Sequence, residues 1–150
     1  MRFILLIKIT ALKSQVTNHK SRITNQNSTM TSKELEERLI RFAAMVIEFT
    51  DSLKRNRAGL TLNDQMSRSG ISAALNYGEA EGAESQKDFI HKLQVVLKEL
   101  RETWMALRIT EKSKLTSKPE LMKICLNECN ELISIFTKSV TTNKQKSMDL

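Results

Sequence analysis

The stretch SQKDFIHKLQVVLKELRETWMAL, residues 85–107, decides the fold. Ser85 followed by Asp88 is a capping box, in which side chains tie up the free amides of a helix start. Behind it Phe89, Leu93, Val96, Leu100, Trp104 and Leu107 follow at steps of three and four, the spacing that gathers apolar side chains on one face of an α-helix. The box recurs as Thr31 with Glu34, Thr61 with Asp64, and Ser117 with Glu120. Four helices are therefore expected, at about Lys33 to Asn56, Leu62 to Gly82, Gln86 to Lys112 and Lys118 to Thr141, with Pro119 suited to the first turn of the last. The first repeats the stripe with Leu35, Leu39, Phe42, Val46, Phe49 and Leu53. The fourth carries Leu121, Ile124, Cys125, Leu132, Ile135, Phe136 and Val140. Short connections at Arg57 to Leu60 and Glu111 to Thr116 force successive helices antiparallel, so an all-α, up-and-down four-helix bundle follows.

Composition agrees. The 150 residues fit one domain, and 40% apolar content is enough for a core. Aromatics at 5%, one Pro and four Gly leave too few strand and turn formers for an all-β fold. The net charge of +7 is unevenly spread: Arg2, Lys8, Lys13, Lys20 and Arg22 fall in residues 1–30 with no acid, leaving 19 bases against 17 acids in the rest. The pI near 9.6 is thus set by the extension. Phe3 to Ile7 is shorter than the roughly 7 to 15 apolar residues of a secretory signal, and far below the about 20 that cross a membrane. Residues 1–30 read as a flexible tail or an upstream extension of the reading frame with Met30 the natural start. The bundle is expected over 31–142, with 143–150 a flexible tail. Two Cys without a signal sequence argue for a reducing compartment, the cytoplasm.

Catalytic chemistry finds no residues to carry it. A di-iron bundle needs two Glu-x-x-His pairs on facing helices, and the nearest match is Asp88 with His91, the other His being His19. Cys125 and Cys129 lie one turn apart without a third thiol or an imidazole nearby, so buried thiols are favoured over a soft-metal site. No Gly-rich phosphate loop and no Ser, His and acid set occurs, and neither an enzyme nor a metal or cofactor is expected. Lys98, Glu99, Arg101 and Glu102 read as a mixed polar face of solubilising charges. Lys54, Arg55, Arg57 and Arg68 are expected to gather at one end of the bundle. They serve either as cations favoured by the C-terminal end of a helix dipole or as a phosphate-binding patch that reads backbone, since no aromatic side chain accompanies them.

Helix two is unusual: Gly70, Ala74, Gly78 and Gly82 fall every fourth residue, at a cost of up to about 1 kcal/mol for each Gly. Such a ridge admits a close neighbour, either inside the bundle or across a subunit boundary. Asn76, in mid-helix on that side, requires a polar partner. The run from Gln65 through Arg68, Ser69, Asn76 and Glu79, followed by Ser85 to Leu93 and Leu97 to Trp104, closely resembles the four-helix family of 23S rRNA intervening-sequence proteins. The Arg-Ser, Asn-x-x-Glu and Lys-Glu-x-x-Glu-Thr elements match in order and spacing over roughly residues 33–140. The resemblance implies a small bacterial protein without known catalytic activity that assembles into a ring, typically a homopentamer. In a related branch, the accessory proteins of diversity-generating retroelements, it implies a basic ring surface that binds nucleic acid and a reverse transcriptase. Arg68, Ser69, Asn76 and Glu79 match the family motif on helix two and read as structural or interfacial residues, as does the ridge of Gly70, Ala74, Gly78 and Gly82. RNA or DNA held through its backbone is the expected partner, with a protein partner as the alternative.

Overall fold

A computed structural model describes residues 30–148, so the expectations for the extension before Met30 lie outside the described residues. Four helices make up the fold: α1 (Ser32–Thr50), α2 (Arg57–Glu81), α3 (Gln86–Ser113) and α4 (Pro119–Met148). Each packs on the next in sequence and α4 returns to α1, while the diagonal pairs stay apart. The expected stripes form the interior: Leu39, Phe42, Val46 and Phe49 of α1 meet Leu93, Val96, Leu100 and Leu107 of α3 and Cys125, Leu132 and Phe136 of α4. Tyr77 of α2 reaches across the centre to Phe136, edge to face at 5.5 Å. Its hydroxyl lies 3.1 Å from Ser32 Oγ.

Three boundaries differ from expectation. Helix α1 ends at Thr50, not Asn56, because the chain turns to pair with the α3–α4 connection. Helix α2 begins at Arg57, not Leu62: its cap is Asn56, whose side chain accepts from the Gly59 amide at 2.9 Å. Thr61 sits inside the first turns and donates its hydroxyl to the Arg57 carbonyl, which is how a mid-helix Thr mimics a capping box in sequence. Helix α4 continues past Thr141 to Met148, so residues 143–148, expected as a tail, extend the last helix. Ser117 also leaves the capping role, donating to Ser52 O at 3.1 Å. Ser85 does cap α3, accepting from Asp88 N at 3.1 Å.

The two connections at one end are zipped together. Lys54 N donates to Leu115 O at 2.9 Å and Ser117 N to Ser52 O at 3.1 Å. The Ser52 and Thr116 hydroxyls lie 2.8 Å apart, and Leu53 and Thr116 form an isolated antiparallel bridge. Gly59 is required beside this turn, because a Cβ there would sit 1.8 Å from the Lys54 carbonyl oxygen.

Gly59→Ala is expected to cost about 1–3 kcal/mol, since backbone must shift to admit the methyl. Gly78→Ala, whose Cβ meets nothing closer than a Glu36 oxygen at 3.9 Å, should instead stabilise the protein by about 0.5–1 kcal/mol. Urea unfolding of both variants checks the contrast. Burial also pushes the Cys125 thiol up to about 12 and raises that of Cys129 further. Unfolded thiols ionise near 9 while the folded ones keep their protons. Stability is therefore expected to fall above about pH 9, by up to about 1.4 kcal/mol per pH unit for each thiol. A flatter slope in the Cys125→Ala, Cys129→Ala variant, and native thiols that resist a thiol reagent at pH 8, are the readouts.

Candidate nucleic-acid interface

The zipped end carries a cluster of unpaired positive charge. Lys54 and Arg55 lie in the α1–α2 connection and Arg57 is the first residue of α2, all three exposed. The bridge brings Lys112 and Lys114 from the end of α3, and Lys118 from before α4, to the same end. None of these cations makes an ion pair among the described residues. The neighbouring acids Glu111 and Glu120 lie 3.9 Å from Arg108 and 3.3 Å from Lys123, and Asp51, exposed in the α1–α2 connection, is the one acid in the connections beside them. Lys112, Lys114 and Lys118 escaped the sequence reading because only the long-range bridge places them beside Lys54.

The helix-dipole explanation does not hold for Lys54, Arg55 and Arg57, although Lys112, in the last turn of α3, does stand at the favourable end of its helix. No basic residue occupies the last turn of α1. Arg57 stands at the N-terminal, positive end of α2, whose first turn has no acid. A cation there is disfavoured by typically 0.3–1 kcal/mol, on the order of the ordinary dipole effect.

Arg68 does not belong to this group. With α2 starting at Arg57 it lies about 16 Å further along the axis. Its guanidinium is bonded to Glu102 and lies 4.0 Å from Glu99. Beside it Ser69 Oγ and Thr103 Oγ1 are 2.7 Å apart, and the Thr103 hydroxyl donates to Glu99 O at 3.0 Å. Further along, Glu79 pairs with Lys92. The Arg-Ser element of α2 and the Lys-Glu-x-x-Glu-Thr element of α3 thus clasp one another within one chain. Glu99 is the exposed-looking member that the fold hides: its side chain is 9% exposed and Oε2 has no hydrogen-bond partner.

The other residues proposed for an interface divide. Ser69 and Gly70 are buried within the protomer, Gly70 so close that an added Cβ would meet a Val46 methyl at 3.4 Å. Asn76 finds its partners in its own helix, Ser72 O at 2.9 Å and Ser72 Oγ at 3.2 Å. Ala74 is half-buried, and only Gly78, Glu79 and Gly82 are exposed. An ion cluster the sequence did not flag joins the outer helices: buried Arg38 of α1 holds Glu128 with Nε at 2.6 Å and Nη2 at 3.0 Å, and Glu131 at 2.6 Å. Burial works against the Arg38 cation, but the bonds and charges of Glu128 and Glu131 outweigh it and hold its pKa above the ordinary value.

Besides Leu60 and the outlying Met30 and Met148, apolar side chains reach the surface in two separate places. Ile40 and Ile47 of α1 and Ile71 and Leu75 of α2 are exposed. Val46 meets Gly70 between the two helices, and by helical spacing these four lie about 100–140° around their helices from that contact, facing outward beside the α1–α2 seam. Met105 and Ile109 are exposed one turn apart on α3.

Arg68→Ala is expected to cost about 1–3 kcal/mol because it strands the Glu99 carboxylate. Adding Glu99→Gln to the same chain should recover most of that loss, and a double-mutant cycle in urea measures the coupling.

No helix among the described residues is long and apolar enough to cross a membrane. Among curated proteins none matches the chain. Among solved structures it resembles a protein of unknown function from the S23 ribosomal protein family of Bacteroides thetaiotaomicron VPI-5482, determined at 1.70 Å. The two are 27% identical, with a TM-score of 0.63, over 71% of this chain and 97% of that one. The family model for the 23S rRNA-intervening sequence protein matches residues 32–138, which takes in all of α1 to α3 and most of α4, the clasp included. By that match the chain belongs to the 23S rRNA-intervening sequence protein family.

Proposed function

We propose that this protein is a non-enzymatic, ring-forming, cytoplasmic bacterial protein that binds structured RNA or DNA through the sugar-phosphate backbone. The observation that carries this reading is the zipped end, where Lys54, Arg55 and Arg57 meet Lys112, Lys114 and Lys118 without ion-pair partners. Arg57 there sits against the dipole of its own helix. Phosphate oxygens supply the missing negative charge, and contacts of this kind position a duplex without reading its sequence. The apolar surfaces support self-assembly. The α1–α2 seam and the Met105–Ile109 patch are unlike each other and lie on different helices. Pairing one with the other is a heterologous contact, the kind that closes rings. The homopentamer is the subunit number that the family resemblance implies. Repetition around a ring turns a modest basic patch into a strong site by raising the effective concentration of each successive contact.

A second reading rests on the same α1–α2 seam, whose exposed isoleucines and Leu75 also suit a protein partner. In that case the protein is an adaptor, and nucleic acid is touched only by the partner.

Binding of the full chain to RNA and DNA duplexes across a salt series tests the first reading. The expected result is micromolar or tighter affinity near physiological salt, with a logarithm that falls steeply against the logarithm of salt. Lys54→Glu, Arg55→Glu and Arg57→Glu together should weaken it by at least about tenfold while the oligomer persists. Binding that is absent would overturn the reading. So would binding that ignores these charges while the oligomer persists. Capture of a protein partner that survives nuclease treatment would then favour the adaptor.

A further inference from the structure

The mixed charges of mid-α3 are not mixed once folded. Glu99 and Glu102 turn toward α2, where Arg68 takes them up. Lys98 and Arg101 turn the other way, into a groove of about 390 Å³ between α3 and α4, lined also by Lys144, by the polar Gln94, Thr137 and Thr141 and by the apolar Leu97 and Val140. No acidic residue lines this groove. Lys98, Arg101 and Lys144 are exposed, and among the described residues none of them makes an ion pair. Further along α3, Arg108 and Lys112 fall within roughly 80° of Lys98 and Arg101 around the helix axis. Met105 and Ile109, however, are exposed within about 20° of Lys98 on the same face, and Arg108 lies 3.9 Å from Glu111. The row of free cations is therefore broken between the groove and the zipped end. Trp104, half-buried, lies on this stretch of α3 with the Arg108 guanidinium 4.9 Å over its ring. The one indole is thus covered by a cation, which leaves the stretch without a platform for stacking bases.

We infer that the α3–α4 groove is a second phosphodiester contact. Lys98, Arg101 and Lys144 meet the backbone phosphates of a double-stranded nucleic acid there. This rests on the reading that the protein binds nucleic acid and adds where the duplex lies. It assigns Lys98, Arg101 and Lys144 a role that an alternation of signs in the sequence conceals.

The test uses the full chain, so that the bases of residues 1–30 are the same in every sample. Lys98→Gln, Arg101→Gln and Lys144→Gln are combined, the oligomer is checked by sedimentation, and binding to a short RNA duplex is followed against salt. Loss of three phosphate contacts is expected to make the salt slope shallower by at least about 2 and to weaken binding by about tenfold or more. The same change is expected on duplex DNA. Lys98→Arg with Lys144→Arg should keep both slope and affinity. If the wild-type chain binds and the triple variant keeps its slope, the groove is not a contact and the wider reading stands. If the wild-type chain does not bind at all, both fall. Polyglutamate that binds the groove as tightly as the duplex, and loses affinity in the triple variant, would make the occupant an acidic protein and overturn the inference.

Discussion

Each helix of this protein has one apolar face that must leave water, and only a closed square of four satisfies all of them. Side chains such as Phe42, Phe49, Leu100, Leu107, Leu132 and Phe136 are essentially inaccessible. Each such residue contributes on the order of 1.5–3 kcal/mol by burial. The clasp between Arg68, Glu99 and Glu102, the Arg38 cluster and the basic end are all positioned by that closure. Polar chemistry is fitted at the seams of the square, while its centre is filled with aliphatic and aromatic side chains, two thiols and hydroxyls such as those of Thr103 and Thr110, each bonded to a backbone carbonyl four residues back.

The surface that results is sorted by seam. Exposed isoleucines flank α1 and α2, carboxylates hold Arg38 between α1 and α4, an arginine meets two glutamates between α2 and α3, and unpaired cations line α3 and α4. A chain whose described part is close to neutral in sum can therefore present a strong local field, because charges of opposite sign are separated rather than mixed. Net charge conceals this; which seam each helix face borders reveals it.

Much of the bundle was legible in the sequence because period-3.6 spacing is a local signal. Most of the stripes of α1, α3 and α4 are buried as their spacing required, with Leu35, Phe89, Trp104, Ile124 and Ile135 half-buried, and Ser85 caps as its box required. The boxes at Thr61 and Ser117 misled because the pattern of a hydroxyl with an acid three residues on does not say where the hydroxyl bonds. One donates back along its own helix and the other across to Ser52. The true cap, Asn56, has Gly59 where a box would have an acid, so its signal was the close approach of backbone rather than a side chain. The candidate site was half legible. Lys54, Arg55 and Arg57 stand out in sequence, but Lys112, Lys114 and Lys118 join them only through a bridge between distant segments. Arg68 falls outside the group because α2 starts at Arg57 and not at Leu62, which carries it further along the axis.

The square has an unequal history built into it. Three of its sides join helices that are neighbours in the chain, so each can form as a hairpin closed by a short connection, with little entropy lost to loop closure. The fourth side, α1 against α4, joins the two ends of the folded chain and is the slightest of the four packings. The guanidinium of Arg38 and the carboxylates of Glu128 and Glu131 stand on that side. Low contact order favours rapid formation of all three hairpins. Closure of α4 on α1 is the one packing that spans the folded chain, and a forked donor meeting two carboxylates selects the register in which it ends.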